Sequence, residues 1–334
     1  MKVLVLGGTG FIGGQVTARL LQKRHDVMVF HRGSQNLKSY PGVAILTGER
    51  NNLSAFADDI HRFAPDVVVD VIGYSRHDAQ ELVATFKNSP ARLVVLSSVD
   101  VYRNRTGFFG ITEAPPYPLP LSEDSPLRTR FYPYADRTKT FDPETTYEKI
   151  HVEETVRSGL PGRVTILRLA AVYGPGDKQH RTWPYLKRML DNRPFILVER
   201  NQAKWQWTRG YVENIAAAVV VAVLTDTARN QIYNVGEMVA PNELEWISRI
   251  AKITGWKGHI IELPNDALPP HLRTTFNWSY GFGLSCQKMR TALGFTDPVD
   301  LEIAMRRTIE WESLNPPTIG DAKMFDYTAE DDAA

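Results

Sequence analysis

The sequence has 334 residues, of which 43% are apolar, and a net charge of +1. This length suits one larger and one smaller domain, and the apolar fraction can fill a core. The small net charge gives no basic field for nucleic acid, and no apolar run approaches the ~18 residues that a membrane helix needs. Cys286 is the single cysteine, which excludes an intrachain disulfide and is typical of a reducing cytoplasm. We therefore expect a cytoplasmic protein with no nucleic-acid or membrane partner.

The first predicted element is a buried parallel strand over residues 3–6, an apolar run rich in β-branched residues. Three glycines follow it at a spacing of three, namely Gly7, Gly10 and Gly13. Apolar residues then recur at helical spacing, namely Ile12, Val16 and Leu20. A strand, a glycine turn and a helix in this order form the context in which such glycines bind a dinucleotide.

Each glycine of this turn has a separate physical role in a dinucleotide site. Gly7 permits the tight turn, Gly10 leaves room for a pyrophosphate, and Gly13 lets the helix pack close to the strand. The free N–H groups at the helix start then face the phosphates, and the helix dipole favours their negative charge. We expect the remaining residues of the turn to contact the dinucleotide as well, namely Thr9, Phe11 and Ile12.

The second predicted strand, residues 27–30, ends without the acid that an NAD site usually places on the ribose 2′-hydroxyl. His31, Arg32 and Ser34 follow it instead. A guanidinium suits a 2′-phosphate through its charge and its fork geometry. We therefore expect these three residues to bind the coenzyme, with NADP(H) favoured and NAD(H) as the second choice.

Further strands alternate with helices through the first half of the chain. Strands are predicted over residues 43–46, 66–72, 93–97 and 164–167, and helices over residues 54–63 and 78–86. This alternation predicts a parallel, doubly wound α/β sheet with its ligands at the carboxyl ends of the strands. Gly73 and Ser97 lie at two of these ends, so we expect both to contact the coenzyme.

Residues 103–146 interrupt this alternation with a segment rich in proline and aromatic residues. A loop of this length is usually functional or disordered, and its aromatic content argues against disorder. Because it leaves the fifth strand beside the expected site, we interpret it as a lid or substrate wall. A rigid surface insertion is the alternative.

The pattern loosens after Gly174, as expected of a smaller α+β substrate domain. Helices are predicted over residues 183–190, 214–224, 242–253 and 301–311, and a strand at 232–235 returns to the sheet. A further strand within residues 198–208 would place Trp205 and Trp207 on one face. We assign residues 1–175 and 211–236 to the dinucleotide domain and residues 176–210 and 237–318 to the substrate domain. Residues 319–334 are acidic and are expected to form a loose tail.

Five segments together resemble the extended short-chain dehydrogenases/reductases, in the NAD(P)-dependent epimerase/dehydratase family. They are residues 7–13 (GGTGFIG), 97–102 (SSVDVY), 168–176 (RLAAVYGPG), 233–236 (YNVG) and 293–295 (LGF). The resemblance implies a Rossmann fold, a nicotinamide dinucleotide and a homodimer formed through the helices before and after the insertion. Reaction and substrate do not follow from a shared fold.

The resemblance also implies a Tyr-x-x-x-Lys pair on the helix after the insertion and a Ser or Thr on the fifth strand. In this family the tyrosine exchanges a proton with the substrate oxygen, and the lysine lowers the tyrosine pKa and holds the nicotinamide ribose. Ser98 fits the third position. Tyr147 and Lys149, however, are two residues apart, about 200° around a regular helix.

Three arrangements of this helix remain open. Tyr147 pairs with His151, or Lys149 pairs with Thr145 while Glu153 matches a family acid, or the helix begins near Tyr147 and its irregular first turn brings Tyr147 and Lys149 together. We take Tyr147 as the acid–base residue, Lys149 as a catalytic and coenzyme-binding residue, and Ser98 as the third catalytic residue.

The substrate is expected to be a small molecule held by Ser98, Tyr102 and Arg209. Arg209 resembles the arginine that meets a diphosphate in the nucleotide-sugar enzymes of the family, but Ala171 replaces their usual asparagine. An ion pair between domains is the alternative role of Arg209. No histidine pair or acid cluster has metal-ligand spacing, so we expect no catalytic metal.

These features predict an epimerase/dehydratase-type oxidoreductase that acts on a hydroxyl or carbonyl carbon, with a nucleotide sugar as one candidate substrate. The second hypothesis is an NADPH-dependent carbonyl reductase, favoured by Arg32 and Ala171. The third is a protein that binds a dinucleotide without catalysis, suggested by the shortened spacing of Tyr147 and Lys149.

Overall fold

The structure is a computed structural model, and it describes residues 1–33, 42–111, 114–135, 146–318 and 324–334. Two residues of the predicted site, Ser34 and Thr145, lie outside the described residues.

The described strands are β1 (Lys2–Leu6), β2 (Asp26–His31), β3 (Ala44–Thr47), β4 (Val67–Asp70), β5 (Arg92–Ser98), β6 (Val164–Leu169), β7 (Ala171–Tyr173), β8 (Phe195–Glu199), β9 (Arg209–Tyr211), β10 (Ile232–Val235) and β11 (His259–Leu263).

The described α-helices are α1 (Phe11–Gln22), α2 (Ala57–Phe63), α3 (Arg76–Phe86), α4 (Asn104–Phe108), α5 (Lys149–Gly159), α6 (Trp183–Leu190), α7 (Arg200–Ala203), α8 (Val212–Leu224), α9 (Glu243–Thr254), α10 (Gln287–Leu293), α11 (Leu301–Leu314) and α12 (Tyr327–Ala333). Short 3-10 helices occur at Arg50–Phe56, Val99–Val101, Asp226–Ala228 and Pro270–Leu272.

Seven parallel strands form the central sheet in the order β10-β6-β5-β4-β1-β2-β3. The predicted doubly wound α/β fold is confirmed, and so is the return of the strand at Ile232–Val235 to the sheet. The strand order reverses between β1 and β4, and in such sheets the ligand crevice lies at this reversal.

The core explains why the first strand is apolar without interruption. In β1, Val3 and Val5 join the cluster on one side of the sheet, whereas Leu4 and Leu6 join the cluster on the other. A strand between two helical layers buries both faces, so the four positions after the exposed Lys2 are all apolar. Helices α1 and α8 cover one face, and α3 and α5 pack together over the other.

The predicted strand carrying Trp205 and Trp207 is wrong. Strand β8 ends at Glu199, whose carboxylate accepts hydrogen bonds from the backbone N–H groups of Asn201 and Gln202 and so starts α7. The two tryptophans follow α7 in a loop before β9. Two small parallel sheets, β8–β11 and β7–β9, accompany the helices of the C-terminal half.

The predicted helix over residues 54–63 also needs correction, because its first part belongs to the 3-10 helix Arg50–Phe56. Asn52 has non-helical backbone angles there (φ −135°, ψ 39°), and the regular helix α2 begins only at Ala57. Within the predicted insertion, α4 spans Asn104–Phe108.

The expected loose tail is wrong for its described part, residues 324–334. Helix α12 buries Glu330 completely, and the carboxylate of Glu330 pairs with Arg188 on α6 and with His271 Nε2 at 2.9 Å. The acidic composition of this segment therefore does not indicate disorder, because the Glu330 carboxylate is bound by two side chains, Arg188 and His271.

Among the helices that the structure describes, none is both long and apolar enough to cross a bilayer. The assignment of residues to two domains stays a prediction.

The first test concerns the anchoring of α12. Replacing Glu330 with Ala leaves the buried Arg188 guanidinium without its carboxylate, so we expect the free energy of unfolding to fall by roughly 3 kcal/mol. Urea denaturation followed by fluorescence measures it. Asp332→Ala, at an exposed position of the same helix, is the control. Equal stability of the two variants would contradict the anchoring.

Candidate functional site

A cavity of about 970 Å³ opens at the carboxyl ends of β1, β4 and β5. Its lining contains the glycine turn, the end of the fifth strand and the start of α5. The predicted site residues that line it are Gly7, Gly10, Phe11, Ile12, Ser97, Ser98, Tyr147 and Lys149. The cavity therefore joins the predicted coenzyme residues to the predicted catalytic residues.

The glycine turn has the shape that a pyrophosphate requires. Gly7 has φ +81°, and a Cβ at Gly13 would lie 2.1 Å from the Gly7 carbonyl oxygen, so only glycine permits this approach of α1 to β1. Gly10, the residue before α1, carries no side chain to cap the first N–H groups of the helix. These free N–H groups fit a phosphate, so the residues present match a dinucleotide. Thr9 belongs to the same turn.

Past β2, His31 and Arg32 differ in what they can contact. His31 is buried, its Nδ1 accepts a hydrogen bond from the Gly33 N–H at 2.9 Å, and burial lowers its pKa. The ring proton therefore lies on Nε2, which has no hydrogen-bond partner among the described residues, and the contact of His31 with the coenzyme stays a prediction. Arg32 is exposed, and no partner of its guanidinium is found among the described residues.

The start of α5 explains the short spacing between Tyr147 and Lys149. Glu148 has non-helical backbone angles (φ −153°, ψ 89°), and its side chain accepts the Ile150 N–H at 2.9 Å. Arg128 holds the same carboxylate with two hydrogen bonds, at 2.7 and 2.5 Å. Because the helix begins at Lys149, the 100° step per residue does not apply to Tyr147.

Lys149 is buried and ties together the ends of two strands. Its Nζ donates to the carbonyl oxygens of Gly73 at 2.7 Å and Leu96 at 2.8 Å. Burial lowers the pKa of Lys149 to about 8. Gly73, predicted to contact the coenzyme, thus contributes its carbonyl group to Lys149.

Tyr147 lies beside Lys149 on the cavity wall, with the lysine Nζ 6.0 Å from its ring centre. Its hydroxyl donates to Asp100 Oδ2 at 3.3 Å. Burial, and then the charge of Asp100, raise its pKa well above the ordinary value, while a hydrogen bond from Ser98 acts in the opposite direction. The arrangement with an irregular helix start is therefore the one observed.

The alternative in which His151 replaces the lysine does not fit the structure. His151 Nδ1 lies 2.8 Å from Arg76 Nη2, and its ring packs against Phe131 with the ring centres 4.3 Å apart. It does not line the cavity. Glu153 is also engaged elsewhere, since it binds Arg168 and accepts the Ser97 hydroxyl at 2.5 Å.

Three residues at the site were missed by the sequence reasoning. Asp100 is buried, accepts the Tyr134 hydroxyl at 2.8 Å, and lies 3.1 Å from Arg105 Nε. Arg105 also donates to the Tyr134 hydroxyl. The sequence could have indicated Asp100, because it is the one charged residue in residues 97–102 (SSVDVY). Arg105 and Tyr134 lie in the insertion, where the spacing carried no signal.

Neither Tyr102 nor Arg209, both predicted to bind substrate, lines the cavity. The Tyr102 hydroxyl donates to Asn234 Oδ1 at 2.5 Å, in a fully buried position. Arg209 donates to Glu243 Oε2 at 2.5 Å and its guanidinium lies 4.2 Å from the Trp246 ring centre. Both side chains are held by the protein. Arg209 forms an ion pair, but its partner Glu243 belongs to the same predicted domain, so the pair does not join the two predicted domains.

Within the part of the chain that the structure describes, no group of three or more His, Cys, Asp and Glu side chains is arranged to hold a metal ion.

The model of the NAD dependent epimerase/dehydratase family matches residues 3–236. The fold and the glycine turn are those of proteins that bind a nicotinamide dinucleotide. The chain belongs to the NAD dependent epimerase/dehydratase family, and the predicted family resemblance is confirmed.

One curated relative is the 2'-dehydrokanamycin reductase of Streptomyces kanamyceticus, 28% identical over 255 residues. The match covers 74% of this chain and 64% of the reductase, so the chain spans less than two thirds of that relative's length.

Two solved structures show the same fold. The UDP-glucose 4-epimerase of Thermotoga maritima, solved with UDP-glucose, has a TM-score of 0.70 and 17% identity, covering 94% of this chain and 99% of that one. The UDP-glucuronic acid 4-epimerase of Bacillus cereus, in complex with UDP-glucuronic acid and NAD, has a TM-score of 0.68 and 18% identity, with coverage of 94% and 99%.

The glycine turn gives a test that separates folding from coenzyme binding. A Cβ at Gly10 would lie 3.4 Å from the Gly7 carbonyl oxygen, an ordinary contact, so Gly10→Ala should fold. Its methyl group would occupy the phosphate approach, and we expect NADPH affinity to fall at least about tenfold. Calorimetry measures the affinity.

Gly13→Ala is the matched comparison, because its methyl group collides with backbone. We expect it to lower the thermal unfolding midpoint clearly, whereas Gly10→Ala should leave that midpoint within a few degrees of wild type. Unchanged NADPH affinity in a folded Gly10→Ala protein would contradict the assignment of the turn.

Proposed function

We propose that the chain is an NADP(H)-dependent oxidoreductase of the epimerase/dehydratase type that acts on a hydroxyl or carbonyl carbon of a small molecule. The observation that supports this most is that Tyr147, Lys149 and Ser98 line the same cavity as the glycine turn. A nicotinamide coenzyme, when bound, supplies hydride chemistry at such a carbon. The side chains of the protein handle the proton on the oxygen.

Tyr147 serves as the proton donor in this proposal. Burial and Asp100 keep its phenol protonated at neutral pH, since both raise its pKa. A protonated phenol donates to a substrate carbonyl oxygen as that oxygen gains negative charge. Ser98, whose hydroxyl accepts the Asp100 N–H at 3.2 Å, can donate a hydrogen bond to the same oxygen without transferring its proton.

Lys149 holds the coenzyme ribose. Its ammonium group has three donors, and two of them are used by the carbonyl oxygens of Gly73 and Leu96. The third donor remains for a ribose hydroxyl. These two backbone contacts fix the position of the ammonium, so the lysine is ready for the ribose without rearrangement.

The coenzyme is NADP(H) in this proposal, with NAD(H) as the second choice. Arg32 supports it, because an exposed guanidinium stands where an NAD site usually has an acid. The homodimer and the cytoplasmic location stay predictions from the resemblance and from the composition.

A carbonyl reductase is the second candidate, and the raised pKa of Tyr147 favours it. A phenol that holds its proton supports reduction, whereas an epimerase also needs the phenolate to accept a proton in the oxidative step. Net NADPH consumption with a carbonyl substrate identifies a reductase, because an epimerase recycles its coenzyme. The short spacing of Tyr147 and Lys149 had suggested a protein without catalysis. It no longer supports that hypothesis, because both residues line one cavity.

Tyr147→Phe tests the acid–base role. We expect kcat to fall at least about 100-fold, because no group then protonates the substrate oxygen, while NADPH affinity stays within about threefold of wild type. Coenzyme oxidation at 340 nm with the carbonyl compound that wild type reduces fastest measures the rate.

The control for this variant is Tyr132→Phe, which changes an exposed tyrosine of the same insertion. We expect it to retain wild-type turnover. If Tyr147→Phe also retained turnover, Tyr147 would not be the proton donor.

Arg32→Ala tests the choice of coenzyme. Loss of a charge-assisted contact with the 2′-phosphate should raise the NADPH dissociation constant about tenfold or more, because such contacts contribute roughly 1.5–3 kcal/mol. The NADH dissociation constant should stay within about twofold. Calorimetric titration of both coenzymes decides, and an equal effect on both would exclude a role in selecting NADP(H).

The titration of Lys149 predicts that kcat/KM depends on pH. With a pKa of about 8, its ammonium is charged below that pH and loses its proton as the pH rises through it. We therefore expect kcat/KM, which reports the free enzyme, to fall on the alkaline side with an apparent pKa near this value. Lys149→Arg, charged at all these pH values, should lack the fall. The same alkaline fall in both proteins would assign it to another group.

A further inference from the structure

The end of the cavity away from the glycine turn is built from aromatic side chains. Five rings line it, here called the aromatic end: Phe108, Trp205, Trp207, Phe276 and Trp278. Phe108 and Phe276 stack with their centres 4.6 Å apart, and Trp205 and Trp207 lie 5.1 Å apart. These contacts fix the rings against one another, so they present a preformed apolar wall.

Cations are scarce on this side of the cavity. Among the described residues that line the whole cavity, four carry positive charge: Arg105, Lys149, Lys178 and Arg181. Arg105 lies against Asp100, and Arg181 binds Asp177 with contacts of 2.8 and 2.7 Å. Their charges are therefore balanced by carboxylates within the protein.

The other two cations lie elsewhere in the cavity. Lys149 belongs to the catalytic group, between the two ends. Lys178 lies two residues after Gly176, where an added Cβ would stand 3.4 Å from the ring of Phe11, a residue of the glycine turn, so we place Lys178 at the coenzyme end. Among the described lining residues, none supplies an unbalanced cation to the aromatic end.

Arg209, the residue expected to bind a diphosphate, does not supply a free cation to the aromatic end. Glu243 accepts from Arg209 at 2.5 Å and also from the Tyr185 hydroxyl at 2.7 Å, and both charged groups are buried. Binding a diphosphate here would require Arg209 to leave a buried carboxylate without its cation, which is strongly unfavourable.

We propose that the aromatic end binds the uncharged ring of a cyclic alcohol or ketone, and that the substrate carries no nucleotide diphosphate. The inference rests on the proposed function, because it places the ring where a hydroxyl or carbonyl carbon reaches Tyr147. Flat rings and the C–H faces of saturated rings both gain contact area against aromatic side chains, whereas a diphosphate would lose its hydration without gaining a cation.

Calorimetry on the full chain tests this with two probes, 2-tetralone as an uncharged bicyclic ketone and UDP as a nucleoside diphosphate. Trp207→Leu removes one ring of the aromatic end. The Trp207 Nε1 has no hydrogen-bond partner in the described part of the chain, so the substitution breaks no hydrogen bond there. Trp207→Phe keeps a ring. Trp256→Leu, outside the cavity, is the stricter control, because it also removes a hydrogen bond, from Trp256 Nε1 to the Arg193 carbonyl oxygen at 2.7 Å.

We expect 2-tetralone to bind wild type more tightly than UDP, and Trp207→Leu to weaken 2-tetralone about fivefold, the effect of losing one aromatic contact. Trp207→Phe should recover most of the affinity, and Trp256→Leu should stay within about twofold. Tighter binding of UDP, no detectable binding of 2-tetralone, or equal 2-tetralone affinity in a folded Trp207→Leu protein overturns the proposal.

NADPH titrations of the same samples separate this inference from the proposed function. A wild-type protein that binds NADPH but shows no detectable binding of 2-tetralone overturns the aromatic site alone. Binding of 2-tetralone without any affinity for NADPH overturns the proposed oxidoreductase and leaves the ring-binding site in place.

Discussion

The buried ammonium of Lys149 is the interaction on which the candidate site depends. It joins the carbonyl oxygens of Gly73, which follows β4, and Leu96, which lies within the neighbouring strand β5. A buried cation is costly unless its donors are satisfied, so these two carbonyl groups hold the first residue of α5 against the sheet. Tyr147, just before the helix, is thereby directed into the cavity beside the glycine turn.

Three buried ion pairs lie beside the residues that line the cavity. Glu148 is bound by Arg128, Glu153 by Arg168, and Glu243 by Arg209, all in buried positions. The first pair joins the start of α5 to the insertion, the second joins α5 to β6, and the third joins α9 to β9. Breaking such a buried pair is strongly unfavourable. The pairs therefore hold the walls in place, and the interior offers aromatic surface and few free charges to a ligand.

Much of the fold could be predicted because its signals are local. The apolar runs of the strands and the spacing of Gly7, Gly10 and Gly13 reflect burial on two faces and a close helix–strand approach, and both constraints act within a few residues. The loop after β8 could not be predicted, because a carboxylate, Glu199, ends the strand by capping the next helix.

The candidate site was only partly predictable, because the contacts that form it join segments that are distant in the sequence. Glu148 starts α5 through contacts with Arg128 in the insertion, and no spacing rule reports a contact between such distant segments. Asp100 and Tyr134 likewise meet only in the folded chain.

A crystal structure of the chain with bound NADP⁺ would show whether the coenzyme reaches the proposed catalytic residues. We expect the pyrophosphate at the Gly10 turn, a ribose hydroxyl on Lys149 Nζ, and the nicotinamide ring facing Tyr147 and Ser98. A coenzyme whose nicotinamide ring lies away from Tyr147, or whose ribose makes no contact with Lys149, would contradict this expectation.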